Sequence, residues 1–384
     1  MPLILKFKII ERCLYLKKIG FIVNPIAGMG GKVGLKGTDN LLQKALEIGA
    51  EPEAHIKASL AIKEILNLKE NFIIYTGNGK LGANILSETD IPYNEIKLDI
   101  YNDCRDTKHL CNLFLKENID LILFAGGDGT ARDILDSTEG KIPVIGIPAG
   151  VKIHSGIFAN RPREAGVILN RYIKGELRGF EKLEVMDIDE NLYREGIVAS
   201  KLYGYLNVPY DTKLLQGKKS RSLPSESSDQ QSIAWEIIDN MEKDILYIVG
   251  PGSTTEWILN TLNIKGTLIG FDAIYNKKCI GIDLNEKDIL KLIEKFKKEH
   301  VRIILTPIGG QGIILGRGNQ QISSKVLALI SKDNIIVAAS KHKLMNLRGR
   351  AFIMDIIEED IVRHFRGYLK VVTGYREYAV YKVI

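Results

Sequence analysis

The chain has 384 residues, 45% of them hydrophobic and 26% charged, and a formal net charge of +6. This is enough apolar material for two packed domains or one large one. A charge so small for the length argues against a nucleic-acid footprint but tolerates anionic ligands. Cys13, Cys104, Cys111 and Cys279 form no CxxC pair, which argues against structural zinc and for a reducing cytoplasm. The opening MPLILKFKIIERCLYLKK is apolar but broken by Lys6, Lys8, Glu11 and Arg12 and has no small-residue cleavage site. It does not read as a signal peptide. No stretch approaches the roughly 18 uninterrupted apolar residues of a membrane helix, so no membrane contact is expected.

In chain order, strands are predicted at Ile19–Val23, Phe72–Thr76, Glu95–Ile100, Leu121–Ala125 and Val144–Ile147. Helical stretches fall between them at about Gly37–Ile48, Leu81–Ser87, Asp106–Glu117 and Thr130–Ser137. Strands alternating with helices predict a Rossmann-like parallel sheet covered on both faces. From Leu177 to Tyr210 the texture is that of short antiparallel strands. Gln216 to Gln231 is polar and Ser/Lys-rich, and reads as a loop, either a lid or a plain linker. α/β character then returns. Helices are predicted at Ile233–Met241, Thr254–Leu262, Glu286–Lys298 and Lys325–Ile330, and strands at Asp244–Val249, Thr267–Ile274, Val301–Thr306 and Asn334–Ala339. Two short strands close the chain. The expected class is α/β with two domains. Residues 1–170 form the first, carrying a GGDGT loop. Residues 171–384 form the second, with a β insert at 177–210, a loop at 216–231, and a C-terminal segment expected to return to the first domain.

Six glycine-rich turns each follow a predicted strand, where open parallel sheets bind ligands. They begin at Val23 (NPIAGMGGK, Asn24–Lys32), Thr76 (GNGKLG, Gly77–Gly82), Ala125 (GGDGT, Gly126–Thr130), Pro148 (AGVKIHS, Ala149–Ser155), Gly250 (PGSTT, Pro251–Thr255) and Pro307 (IGGQG, continuing to Arg317). Glycines let backbone N–H groups approach an anion, and a following helix aims its positive end at it. Any single turn can instead be a tight connection. GNGKLG, with Asp99 further on, fits either a dinucleotide fingerprint or such a connection. None of the six is a Walker A loop.

Asp128, a lone acid among Gly126, Gly127 and Gly129 with Thr130 next, meets the needs of phosphoryl transfer to a hydroxyl. Backbone donors would hold the phosphates, and the carboxylate would orient or deprotonate the attacking oxygen or hold Mg²⁺. A plain helix cap is the competing reading. Lys152, His154 and Ser155 share a turn that could reach the same ligand, though His154 could equally be a packed histidine. Gly252, Ser253 and Thr254 open a helix as either an anion site or a cap. Arg317 suits a phosphate or a solvated loop.

GGDGT (Gly126–Thr130) resembles the signature of the superfamily containing NAD kinases, diacylglycerol-type lipid kinases and, more distantly, phosphofructokinases. VNPIAGMGG resembles the Asn-Pro turn preceding it there. GLKGTDN (34–40), PAGVKIHSGIFA (148–159), GPGSTTEWI and TPIGGQGIILGRGNQQIS resemble the AcoX-type branch of the ATP-NAD kinase family, common in archaea. The resemblance runs from about Gly20 to His342. It implies an ATP-dependent kinase with NAD as acceptor, phosphorylated at the adenosine ribose 2′-hydroxyl, and Asp128 as catalytic acid or base. Gly126, Gly127, Gly129 and Thr130 would hold phosphate, and Asn24, Gly28 and Gly30 would help bind nucleotide.

The chain departs from that family in reading α/β rather than mostly β over Trp235–Ser340. Its Asn-Glu pairs, Asn94-Glu95 and Asn285-Glu286, are not where the family's dinucleotide-holding motif belongs. The reading is therefore a kinase using ATP or polyphosphate with Mg²⁺ on a small-molecule substrate, NAD or another alcohol or sugar, and assembling as a homo-oligomer. A nucleotide-binding regulatory protein without transferase activity is the reading from another class.

Overall fold

The structure is a computed structural model that describes residues 16–35, 42–151, 153–177, 179–188, 200–209, 214–215, 226–347 and 349–384. The N-terminal segment, Lys152, and residues 36–41 and 216–225 of the stretches read above lie outside the described residues.

The first half builds a five-stranded parallel sheet in the order β3-β2-β1-β4-β5. Its strands are β1 (Lys17–Val23), β2 (Phe72–Gly77), β3 (Tyr93–Ile96), β4 (Leu121–Gly126) and β5 (Val144–Pro148). β4 and β5 are buried at every position, as near-continuous apolar runs in a two-sided parallel sheet should be. β3, at the edge, keeps Asn94 and Glu95 exposed. Four helices of nine or more residues cover the faces: α1 (Ala54–Ile62), α2 (Cys104–Lys116), α3 (Asp128–Thr138) and α4 (Pro162–Ile173). Asp103 caps α2 by accepting from the Arg105 amide at 2.9 Å. On β1 a Cβ at Gly20 would lie 2.6 Å from the Phe114 ring, so glycine there lets α2 lie close on the sheet.

The predicted antiparallel strands appear as the hairpin β6 (Phe180–Ile188) and β7 (Ser200–Pro209). Leu183, Val185, Leu206 and Val208 join the first core.

The second half forms a seven-stranded mixed sheet. It contains β8 (Leu246–Val249), β9 (Asp272–Tyr275), β10 (Lys278–Gly281), β11 (Val301–Leu305), β13 (Ile335–Ala338), β15 (Gly367–Gly374) and β16 (Glu377–Val383). Their order is β10-β9-β8-β11-β13-β15-β16, with β12 (Ile313–Leu315) and β14 (Ile353–Met354) paired separately. β8, β11, β13 and β15 run parallel, while β9, β10 and β16 are antiparallel additions at the two sides. Helices α5 (Glu226–Asp239), α6 (Ser253–Thr261) and α7 (Glu286–Phe296) flank it. The end of the expected loop at 216–231, from Glu226 to Gln231, is thus the start of α5.

The strand expected at Thr267–Ile274 begins only at Asp272. The buried Asp272 carboxylate accepts from the Thr267 amide at 2.7 Å and the Asp283 amide at 3.0 Å, so the preceding residues turn back on it instead of pairing. Asn285-Glu286 is a helix start. Asn285 accepts from the Asp288 amide, and Asp288 from the Asn285 amide, closing a capping box.

The halves meet through polar contacts. The Glu286 amide donates to Lys32 O at 3.1 Å and the Gly318 amide to Val151 O at 3.1 Å. Arg161 Nη2 donates to the carbonyl oxygen of Ile384 at 2.6 Å, so the C-terminal end reaches the first half.

Candidate active site

In the first sheet the strand order reverses between β1 and β4, because β2 and β3 lie on one side of β1 and β4 and β5 on the other. The segments leaving β1 and β4 at such a point diverge and open a crevice at the carboxyl ends of the strands. Asn24 follows β1 and the GGDGT loop follows β4. They are joined across the crevice: Asn24 Nδ2 donates to Thr130 Oγ1 at 3.0 Å, and the Asn24 amide donates to Ala125 O at 2.9 Å. Asn24 Oδ1 accepts from the Ile26 amide, which sets the turn leading to Gly28.

The turn after β5 closes on the same place. Ala149 and Gly150 amides donate to Gly126 O at 2.9 and 3.0 Å. Asp128 Oδ2 accepts from the His154 amide at 2.7 Å. Asp128 Oδ1 accepts from the Ser155 amide at 3.1 Å and the Ser155 hydroxyl at 2.6 Å. His154 Nδ1 lies 3.4 Å from Asp128 Oδ2. Ser155 Oγ in turn accepts from the Met186 amide at 2.9 Å, tying in the hairpin. Asp128 is therefore not the helix cap. It is the first residue of α3, Gly127 is the cap position, and the carboxylate turns away to hold the 154–155 backbone. His154 is packed, with its side chain 6% exposed, and still borders the acid.

The glycines separate by cause. A Cβ at Gly28, whose φ is +80°, would lie 2.1 Å from Ala149 O. At Gly126 it would meet Thr130 Oγ1 at 2.5 Å, and at Gly127 the Gly150 Cα at 3.2 Å. Gly28 and Gly127 are explained by loops packed backbone to backbone, and Gly126 by the Thr130 side chain lying against it. Gly30 is buried, and its carbonyl accepts from the Leu35 amide. Gly129 differs: a Cβ there has nothing within 4 Å, and its φ is not in the left-handed region. Neither packing nor conformation requires glycine, yet it stands in the first turn of α3, where the amides of the first four residues have no intrahelical partner. Glycine at this point leaves that side of the first turn open.

A Mg²⁺ here would have Asp128 as its one loop carboxylate and would take its other oxygens from nucleotide phosphates and water. Asp128 already accepts three hydrogen bonds, and among the described residues no three His, Cys, Asp or Glu side chains gather as a metal site.

The other sequence candidates lie apart. Gly252 caps α6 with φ +133°, and a Cβ there would meet Thr306 Cγ2 at 2.5 Å. A substitution at Gly252 thus disturbs packing and would not report on a ligand. Thr254 Oγ1 and Thr306 Oγ1 accept from Lys343 Nζ at 3.1 and 2.9 Å, and Ser253 Oγ accepts from Gln230 Nε2 at 3.3 Å. Lys343 went unread because only the fold brings it to those hydroxyls. GNGKLG is a tight connection: it leads into a four-residue helix, Ala83–Leu86, a Cβ at Gly82 would lie 2.1 Å from Thr76 Oγ1, and Asp99 is exposed.

Arg317 is neither solvated nor placed at the GGDGT loop. It is 1% exposed, its Nε donates to Asp355 Oδ2 at 3.1 Å, and its Nη2 donates to Asn160 O at 2.8 Å. Gln311, also unread, donates from Nε2 to Ile153 O at 3.1 Å and so supports the turn that binds Asp128. The available signal was compositional, since three of the chain's seven glutamines fall within Gln311–Gln321.

Two family models match the sequence: the ATP-NAD kinase N-terminal domain over residues 19–177, and the ATP-NAD kinase C-terminal domain over residues 242–383. The chain belongs to the ATP-NAD kinase family. Members are phosphotransferases with an alcohol acceptor that use ATP as phosphoryl donor. No curated protein matches the chain. Among solved structures it is similar to a protein from Bacillus anthracis str. Sterne assigned as a diacylglycerol kinase, at 18% identity and a TM-score of 0.23. That match covers 46% of this chain and 47% of the other, about half its length. Among the described residues no helix is long and apolar enough to cross a membrane.

Proposed function

We propose that the protein transfers a phosphoryl group from ATP, brought as its Mg²⁺ complex, to the 2′-hydroxyl of NAD. The observation that carries the donor site is Gly129, an open glycine in the first turn of α3 that no packing demands. The donor's phosphates would lie against the Gly127–Thr130 amides, with Asn24 fixing Thr130. In this reading Asp128 receives the proton of the attacking hydroxyl, and the Ser155 hydroxyl and the 154–155 amides hold the carboxylate in place. Lys152, next to this turn in sequence, is a further phosphate ligand in the proposal. The stretches Pro148–Ala159 and Thr306–Ser323 support assignment to the AcoX-type branch.

Gly129→Ala separates function from stability. Alanine is the better helix former by up to about 1 kcal/mol, and its methyl group meets no protein atom. The variant should melt no lower than wild type, while ATP–Mg²⁺ affinity by titration calorimetry falls about tenfold or more. Unchanged affinity would remove the donor from this loop.

The acceptor is tested by a thermal-shift screen of NAD, NADH, ATP, polyphosphate and sugars, with and without Mg²⁺, followed by ADP release. A ligand of the native state raises stability by RT ln(1 + [L]/Kd). Stabilisation by NAD, and ADP release that depends on it, is the expected result. Release that depends on a sugar would move the acceptor assignment. Binding without any release would leave a nucleotide-binding regulatory protein.

A further inference from the structure

The two carboxylate oxygens of Asp128 are held from different parts of the chain. Oδ1 accepts from Ser155, whose hydroxyl oxygen also accepts from the Met186 amide of the hairpin. Oδ2 accepts from the His154 amide at 2.7 Å. That N–H belongs to the same peptide group as the Ile153 carbonyl, and the carbonyl accepts from Gln311 Nε2 at 3.1 Å. The group is trans and planar, so its C=O and N–H point in opposite directions. Gln311, in the second half, therefore donates to one side of the peptide while Asp128 accepts on the other.

The fold keeps Gln311 in place. It is 3% exposed and ends a turn, Ile308 to Gln311, closed by its own amide donating to Ile308 O at 3.2 Å. Gly310 takes φ +75° at the third position of that turn, which glycine adopts without strain. Arg350 Nη2 donates to Gly310 O at 2.8 Å, and the Ile353 amide donates to Gly312 O at 2.9 Å. A second tether from the same segment, the Gly318 amide on Val151 O at 3.1 Å, holds the chain two residues before Ile153. A donor fixed on a buried carbonyl polarises the peptide and strengthens the hydrogen bond that its N–H gives, by about 10–30%.

We infer that Gln311 is a positioning residue for the phosphoryl transfer: from the second half, through the 153–154 peptide, it sets the place of Asp128 Oδ2 and the strength of the hydrogen bond that Oδ2 accepts. It acts through that peptide and not on the reacting atoms. The inference rests on the proposed role of Asp128 as proton acceptor. Its consequence is that the acid of the first half is fully held only while the second half is docked against it.

Gln311→Met, in the full chain, keeps the side-chain length and removes the donor. With ATP–Mg²⁺ and NAD, kcat for ADP release should fall about three- to tenfold, the worth of one hydrogen bond, with KM for both substrates unchanged. In protein labelled with ¹⁵N at its six histidines, the His154 amide proton should move upfield as its bond to Asp128 weakens. Asp355→Leu is the control. It strands the Arg317 guanidinium in the same segment, should lower Tm further than Gln311→Met does, and should leave kcat and the His154 resonance where they are. Gln311→Asn, whose amide stops one methylene short, should repeat the Gln311→Met result and replaces it if that variant does not fold. The inference fails if the His154 amide does not move, or if kcat falls no further than in Asp355→Leu. It fails also if KM rises at constant kcat, which would make Gln311 a substrate contact. Wild type without turnover, but with a His154 resonance that depends on Gln311, would overturn the kinase reading and leave the hold on Asp128 standing.

Discussion

Asp128→Asn should lower kcat by about 10²–10⁴-fold, the usual contribution of a positioned general base, with ATP still bound. The substitution also changes the fold locally in a calculable direction. Asparagine offers one oxygen, which can still accept from Ser155, but turns an NH₂ group toward the His154 amide now held at 2.7 Å. Leaving that buried donor unpaired costs about 1–3 kcal/mol, a fall of several degrees in Tm. Ser155→Ala removes the 2.6 Å bond to Asp128 but keeps the carboxylate. It should therefore lower Tm similarly and kcat by less than about tenfold. If Asp128 only ties the loops together, the two variants will lose equal stability and neither will lose kcat. Partial recovery of Asp128→Asn at high Mg²⁺ would instead place the carboxylate on the metal.

The largest stability effect should come from the buried pair Arg317–Asp355. Asp355→Leu leaves the guanidinium with only the Asn160 carbonyl as partner, 1% exposed. Stranding a buried charge costs roughly 3–5 kcal/mol, and Tm should fall by about 10 °C. The double variant Arg317→Met/Asp355→Leu should recover most of that loss, since an apolar pair of similar volume is often no worse than the ions. Equal Tm for wild type and Asp355→Leu in a thermal scan would show that the pair does not stabilise the buried guanidinium.

The parallel sheet was legible because β4 and β5 are unbroken apolar runs ended by glycine or proline, and because strand and helix periods alternate. The helices Ala54–Ile62 and Pro162–Ile173 were not read. Their contact is made by small residues: a Cβ at Gly166 would lie 2.1 Å from Ala61 O, so the two backbones touch where a periodic stripe of large side chains would be expected. β3 begins at Tyr93, earlier than its apolar residues suggest, since as an edge strand it is half solvated.

Within the site, GGDGT and the Asn24 turn could be found from spacing, since glycine at strand ends is a local signal. The direction in which Asp128 points could not be. Its partners are 26 and 27 residues away in sequence, and a cap and a loop clamp look alike in one dimension. Arg317 was misread for the same reason. A polar glycine-rich loop reads as solvated, and Asp355, which lets it be buried, is 38 residues further on.

NADP formation tests the central claim most directly. Wild type and Asp128→Asn, each shown to be folded and to bind ATP, are incubated with ATP–Mg²⁺ and NAD, and NADP is read with an NADP-dependent dehydrogenase. The account predicts NADP from wild type and a rate about 10²–10⁴-fold lower from the variant. Wild type that binds ATP but forms no NADP from NAD, or equal rates from the two proteins, would contradict it.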